Sequence, residues 1–224
     1  MTFSITARCA ETGMFGVAVA SSSPAVAARC AHARASIGSV ASQNVTDPTL
    51  GPKTLDLLEQ GATAAEAIAI LERTTPHLAY RQLAVVDRLG GSAIHSGAQI
   101  LGTYAETMRA NQVCAGNLLA NTAVTTAMAD AFESTGGHLG DRLLAAMQAA
   151  LAAGGEEGPI HSAGMLLVDK TPFPLADLRC DWSEACPVAE LTEIWQVYKP
   201  QIQDYVTRAL NPENAPSYGV PGDI

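Results

Sequence analysis

Residues 2–21 constrain this chain more than any other stretch. Phe3, Ile5 and Ala7 alternate with Thr2, Ser4 and Thr6; Glu11-Thr12-Gly13 intervenes; then Phe15, Val17 and Val19 alternate with Gly16, Ala18 and Ala20. A period of two sends successive side chains to opposite faces of a strand, and a polar break containing glycine between two such runs is a β-hairpin signature. The chain therefore opens as an antiparallel pair that must cover an apolar face. The residues are 48% apolar but only 5% aromatic, so the covering comes from many small side chains, which suits closely stacked layers better than one thick bundle.

Further along, Ile37 to Ser42 reads as a strand, and Asp47-Pro48 and Gly51-Pro52 then turn the chain into helix. Leu55, Leu58 and Ala62, then Ala65, Ile68 and Leu71, recur every three or four residues. Gly61 breaks that run and Thr63 with Glu66 makes a capping box, so two short helices follow one another. Leu83 to Val86 and Ala93 to His95, split by Gly90-Gly91, predict a second hairpin, with another strand near Val113.

Val124, Met128, Ala131 and Phe132 mark a helix ending at Gly136-Gly137; Leu139, Leu143, Met147 and Leu151 mark another ending at Gly154-Gly155. Ala163 to Val168 and Leu175 to Asp181 give two last strands. Pro187 then starts a long helix carrying Val188, Leu191, Trp195, Tyr198 and Ile202, which Pro200 should kink. One domain over residues 1–210 and a tail over 211–224 result, the tail being a surface strap or poorly ordered. Hairpins outnumber parallel crossovers, and an α+β, four-layer αββα sandwich of two antiparallel sheets satisfies the order of elements.

Thirteen Lys and Arg against 22 Asp and Glu leave a formal charge of −9, with no cationic run, so the overall field repels nucleic-acid phosphates and anionic lipid alike. Cys9, Cys30, Cys114, Cys180 and Cys186 form an odd set without a CxxC pair, which argues for reduced thiols in the cytoplasm rather than a disulfide framework or a zinc knuckle. Phe15 to Ala28 is apolar enough to resemble a signal peptide, but its strand period and the preceding Glu11 favour a strand. No apolar run approaches the roughly 20 residues of a membrane span. Phosphate-loop, dinucleotide and serine-elbow motifs are missing, as is any His/Cys ligand spacing; no cofactor and no metal are expected.

Several short motifs in order resemble a known family. They are Thr2-Phe3-Ser4-Ile5-x-Ala7-Arg8, Gly16-Val17-Ala18-Val19-Ala20-Ser21, Gly38-x-Val40-Ala41-x-Gln43, Pro48-x-x-Gly51-Pro52, His95-x-Gly97, Gly116-Asn117-x-Leu119-Ala120 and Asp177-Leu178-Arg179-x-Asp181. The resemblance, over roughly residues 1 to 195, is to an uncharacterised prokaryotic family of the N-terminal-nucleophile (Ntn) hydrolase-like, proteasome-subunit-like superfamily. It implies an αββα sandwich. Where relatives carry an Asp/Arg-rich stretch ending in Gln before the penultimate strand, this chain has Gly155-Glu156-Glu157-Gly158-Pro159-Ile160-His161.

Ntn chemistry requires a Ser, Thr or Cys as the first residue, because the residue's own α-amine, with a pKa of about 7.7 to 8.0, is the base for its side chain. Thr2 follows Met1, and a small second residue permits removal of the methionine. Thr2 is thus the candidate nucleophile for a small amide; its other reading is an ordinary strand residue. Asn117 either donates to an oxyanion or caps the chain from Leu118 onward. Gln43 either binds substrate or belongs with Asn44 to a turn. His95 is a pocket or a structural histidine, Arg34 a charge stabiliser 32 residues beyond Thr2, and His161 a pocket or an exposed residue, while Glu156 and Glu157 read as a solvated loop. An N-terminal-nucleophile hydrolase of a small amide, pairing as a homodimer through the Trp195-bearing helix, is the leading expectation. A non-catalytic scaffold that binds a metabolite or a protein partner is its rival.

Overall fold

The computed structural model describes residues 1–221. Its strands are β1 (Thr2–Arg8), β2 (Phe15–Ser21), β3 (Ala31–Arg34), β4 (Gly38–Asn44), β5 (Arg81–Asp87), β6 (Ser92–Ser96), β7 (Ala105–Arg109), β8 (Gln112–Asn117), β9 (Ser162–Val168) and β10 (Ala176–Cys180). The helices are α1 (Ala27–Cys30), α2 (Leu50–Glu59), α3 (Ala64–Thr74), α4 (Ala123–Ser134), α5 (Leu139–Ala152), α6 (Pro187–Tyr198) and α7 (Ile202–Leu210). One sheet runs β10-β9-β2-β1-β8-β7 and the other β3-β4-β5-β6, and every pairing is antiparallel.

Helices α4, α5 and α6 cover the outer face of the six-stranded sheet, and α2 and α3 cover that of the four-stranded sheet. The molecule is the four-layer αββα sandwich that the alternation of strand and helix pairs implied. Side-chain parity explains it. Phe3, Ile5 and Ala7 of β1 join Leu143, Met147 and Phe132 in the core beneath α4 and α5, while Val40, Leu83 and Val85 join Leu55, Leu58, Ile68 and Leu71 beneath α2 and α3. The opposite parity, Phe15, Val17, Ala41, Ala84, Val86, Val113 and Ala115, fills the seam between the sheets. The stretch from Phe15 to Ala28 folds as β2, a loop and the start of α1.

Two strands were not anticipated. β3 consists of Ala31, His32, Ala33 and Arg34, and β7 of Ala105, Glu106, Thr107, Met108 and Arg109, sets with little alternation or strand propensity; both sit at sheet edges and are held by their neighbours. The strand expected from Ile37 begins at Gly38 and continues to Asn44. The kink at Pro200 is present as a 3-10 turn, Lys199–Gln201, between α6 and α7. Of the tail, residues 222–224 lie outside the described residues; before them Arg208 donates to the carbonyls of Pro216 and Ser217 and lies over the Tyr218 ring, 3.8 Å from its centroid.

The Trp195 ring is wholly buried, with Nε1–H donating to Asp141 Oδ1 at 2.8 Å, so the ring itself is core, while the outer side of its helix exposes Ile194 and Val197. Gly140 makes room for it: a Cβ there would lie 2.4 Å from the indole.

The capping box starts α3. Thr63 Oγ1 accepts from the Glu66 N–H at 3.3 Å, and the Glu66 carboxylate accepts from the Thr63 N–H at 2.8 Å. Thr63→Ala is expected to cost about 1 kcal/mol. Urea unfolding checks this, and a change under about 0.3 kcal/mol would show that tertiary packing alone fixes the helix start.

Candidate functional site

At one end of the seam β1 begins, β2, β4, β6 and β8 end, and β5 and β9 begin, which gathers their inward-pointing terminal residues. Thr2 pairs with Asn117 across β1 and β8, Gln43 with Gln82 across β4 and β5, and Gln82 with Ser96 across β5 and β6. Thr2, Ser4, Gln43, Gln82 and Asn117 are all buried. In a seam lined mainly by Val, Ala and Phe, with one buried Thr6–Ser39 hydroxyl pair at 2.7 Å further along, this is a polar plug, and each group needs a partner.

Gln82 is the hub. Its Nε2 donates to Ser96 Oγ at 3.1 Å and to the Gly116 carbonyl at 3.4 Å, so its Oε1 is the acceptor, taking Gln43 Nε2 at 2.8 Å and Asn117 Nδ2 at 3.3 Å. Ser4 Oγ donates to Gln43 Oε1 at 2.6 Å. The network fixes the amide orientations. It leaves Asn117 Oδ1 buried without a hydrogen-bond partner.

The chain terminus lies beside this plug. The hydroxyls of Thr2 and Ser21 both donate to the Met1 carbonyl, and stand 3.5 Å from each other. Ser21 Oγ also meets Ser23 Oγ at 2.9 Å and accepts from the Ser23 N–H at 3.1 Å. Thr2 is only 6% exposed, and its hydroxyl is engaged while Met1 is in place.

Glu156 completes the cluster and corrects the expectation of a solvated loop, since it is 5% exposed while Glu157 alone faces solvent. Leu118 adopts a left-handed φ of +50°, an uncommon backbone for a branched residue, and is held by Leu101 and Glu157 backbone bonds at 3.0 Å each. That turn sends Leu119 into a β-bridge with Glu156, which sets the carboxylate beside β2. Glu156 Oε2 accepts from the Ser22 N–H at 3.2 Å; Oε1 is buried and unpartnered.

Burial drives the Glu156 carboxyl up from 4.5 to about 7, partly opposed by the nearby chain-terminal amine and by Ser22. The folded protein therefore keeps a proton between pH 4.5 and about 7 that the unfolded chain has released. Stability conferred by this group is full below pH 4.5 and is lost as pH rises through 7, at a slope of up to about 1.4 kcal/mol per pH unit. Glu156→Gln, neutral throughout, should flatten the fall in urea-unfolding free energy between pH 5 and 8. An unchanged slope would exclude the assignment.

The remaining sequence candidates are scattered. His161 approaches the cluster: its N–H donates to the Ser21 carbonyl at 2.8 Å, its Nδ1 pairs with the Ser183 carbonyl at 2.8 Å, and its ring stacks on Trp182 at 4.4 Å. Gln43 joins the plug, while Asn44, at φ +71°, takes the turn role and donates to the Tyr80 carbonyl at 2.7 Å. Asn117 caps nothing, because α4 starts at Ala123, whose N–H is held by Asn121 Oδ1 at 2.9 Å.

His95 and Arg34 are not brought to Thr2. His95 has the outward parity of β6, with Nδ1 2.9 Å from Glu72 Oε1 and Nε2 3.1 Å from the Leu78 carbonyl under α3. Arg34, at the far end of β3, forms ion pairs with Asp56 at 2.9 Å and Glu59 at 2.5 Å on α2. Sequence reasoning missed Gln82, Ser21 and Glu156. Only Gln82 carried a usable signal, a buried-strand position occupied by an amide.

A model described as a family of unknown function (DUF1028) matches residues 2–191. The crystal structure of a protein from Silicibacter pomeroyi, assigned to the same family, is 31% identical with a TM-score of 0.83, and the match covers 93% of each chain. Anbu, the ancestral beta-subunit from Yersinia bercovieri, is 12% identical with a TM-score of 0.40, over 91% of this chain and 97% of that one, a likeness too slight to transfer a site. No curated protein matches. Among the described residues no helix is long and apolar enough to cross a membrane.

Proposed function

The chain belongs to the DUF1028 family, and on that premise we propose that it is an Ntn-type amidohydrolase of a small polar amide, with Thr2 as nucleophile once Met1 has been removed. One observation carries the reading: the Thr2 and Ser21 hydroxyls converge on a single carbonyl oxygen, that of Met1. Loss of Met1 vacates that oxygen's position and leaves two hydrogen-bonding groups around a space suited to another carbonyl. It also creates a new amine on Thr2, whose strand partner Asn117 carries a buried acceptor without a donor, Oδ1, as does Glu156 at Oε1, a carboxylate that already feels the terminal amine of Met1. A polar amide matches the Ser, Gln and Asn lining.

In this reaction the neutral Thr2 amine takes the proton of Thr2 Oγ1 as the oxygen bonds to the amide carbon, and the carbonyl becomes an oxyanion. The second N–H of Asn117 Nδ2, its first being on Gln82, and the Ser21 hydroxyl are the donors assigned to that charge; one such donor is commonly worth about 2.7 to 4 kcal/mol of barrier. Collapse breaks the C–N bond, the ammonium protonates the leaving amine, and water then cleaves the Thr2 ester by the same base. Glu156, charged near neutral pH only in part, adjusts how readily the amine loses its proton.

A non-catalytic scaffold is favoured by the burial of Thr2 and the engagement of its hydroxyl with Met1 in place. Intact mass of protein from native cells separates the two readings. Retention of Met1 removes the terminal base and sinks the hydrolase; its loss is the expected result.

A further inference from the structure

The opposite end of the sandwich carries two adjoining cavities. One, of about 590 Å³, lies between the β3–β4 turn and the β9–β10 loop and is walled by Ala33, Ala35, Val168, Pro172, Phe173 and Pro174. The other, of about 200 Å³, is lined by Arg8, Thr12, Phe15, Arg88, Asp169 and Lys170; Ser36 and Lys170 belong to both. β1 spans seven residues from Thr2 to Arg8, so this cleft stands about 20 Å from the Thr2 cluster and is independent of the function proposed there.

The charge here is anomalous for the molecule. In a chain of −9, three cations and one carboxylate surround the smaller cavity, a local balance of +2. Among the described residues the ion pairs take up Arg34, Arg109, Arg179 and Lys199, and none involves Arg8, Arg88 or Lys170. Arg34 also borders the larger cavity, but Asp56 and Glu59 hold its guanidinium. Arg8 is anchored by one bond, Nη1 to Asn111 Oδ1 at 3.1 Å, and its Nε–H is buried with no acceptor at all. A buried charged donor without an acceptor is costly unless something supplies one. Convergent cations beside a concave apolar wall of this size are what an amphipathic small-molecule site consists of.

We propose that this cleft binds a small organic dianion, its phosphate or dicarboxylate head among Arg8, Arg88 and Lys170 and its apolar body against Phe173 and Val168. Phenyl phosphate is the probe, with inorganic phosphate as head alone and phenol as body alone, each titrated calorimetrically at fixed ionic strength. Succinate and benzylsuccinate repeat the pair with a dicarboxylate head, which tells the two head chemistries apart. The expected result is that a head-plus-body probe binds at least 10-fold more tightly than its head or body alone, and weakens as salt is raised.

Arg88 and Lys170 are exposed, so Arg88→Ala with Lys170→Ala should fold normally, with urea unfolding as the check, and lose at least 10-fold in affinity. Phe173→Ala should weaken the head-plus-body probes and leave inorganic phosphate unchanged. No binding of any dianion at millimolar concentration, or binding that ignores both sets of substitutions, would overturn the assignment.

Discussion

On the proposed mechanism, amide hydrolysis by Met1-trimmed protein is expected to fall by about 10²-fold or more in Thr2→Ala, measured as amine release from a panel of small polar amides. The alanine variant still presents a terminal amine, so the loss isolates the hydroxyl from the base. Thr2→Ser, which keeps a hydroxyl, should retain a measurable part of the rate. Asn117→Ala removes both the unpartnered Oδ1 and a donor assigned to the oxyanion, and should lower kcat more than it raises KM. An unchanged rate in Thr2→Ala refutes the nucleophile outright, whatever the other variants do. The effect is large because the base that remains then has no hydroxyl on its own residue to activate.

The largest effect on stability is expected at Trp195. Its indole is wholly buried between α6 and the start of α5, and Gly140 has no side chain to fill the space it would leave. Trp195→Ala forfeits burial and leaves a cavity, at about 3 to 5 kcal/mol. It also strips a hydrogen bond from Asp141, which keeps Lys199 Nζ at 2.6 Å and whose carboxyl that lysine and the indole together hold below its ordinary range, against burial. For a chain of this length the loss corresponds to a fall of roughly 10 °C in Tm, read by circular dichroism. Trp195→Phe keeps most of the ring and should lose less than half as much. Equal losses would mean that the hydrogen bond to Asp141, and not the volume, secures α6.

What was legible in the sequence follows the range of the interactions involved. The β1–β2 hairpin is local and two-faced, so Phe3, Ile5 and Ala7 announced their side and Thr2, Ser4 and Thr6 the other. Thr63 and Glu66 lie three residues apart, and the cap they form was readable for the same reason. Edge strand β7 was not: its Ala, Glu, Met and Arg are helix formers, and pairing with β8 overrides that preference.

The site was half legible. Thr2 and Asn117 were candidates from chemistry, and the register that sets them side by side joins strands more than a hundred residues apart. Glu156 escaped because nothing near it in the chain says that it is buried, and Gln82 because its one signal, an amide at the start of a buried strand, does not name its partners. Gln82 becomes a hub only when the second sheet stacks on the first, and Glu156 only when the strained turn at Leu118 folds it inward. Arg34 and His95 failed to join for a simple reason of parity and strand end, since one residue of register decides whether a side chain meets the seam or an outer helix.

The position of Thr2 at the very start of β1 has a practical consequence for anyone preparing this protein. A purification handle fused ahead of Met1 would keep the α-nitrogen of Thr2 a permanent amide, at a residue only 6% exposed. Under the proposed mechanism such a preparation would assay as inert. A handle belongs at the other terminus, where Tyr218 and Val220 already stand in solvent.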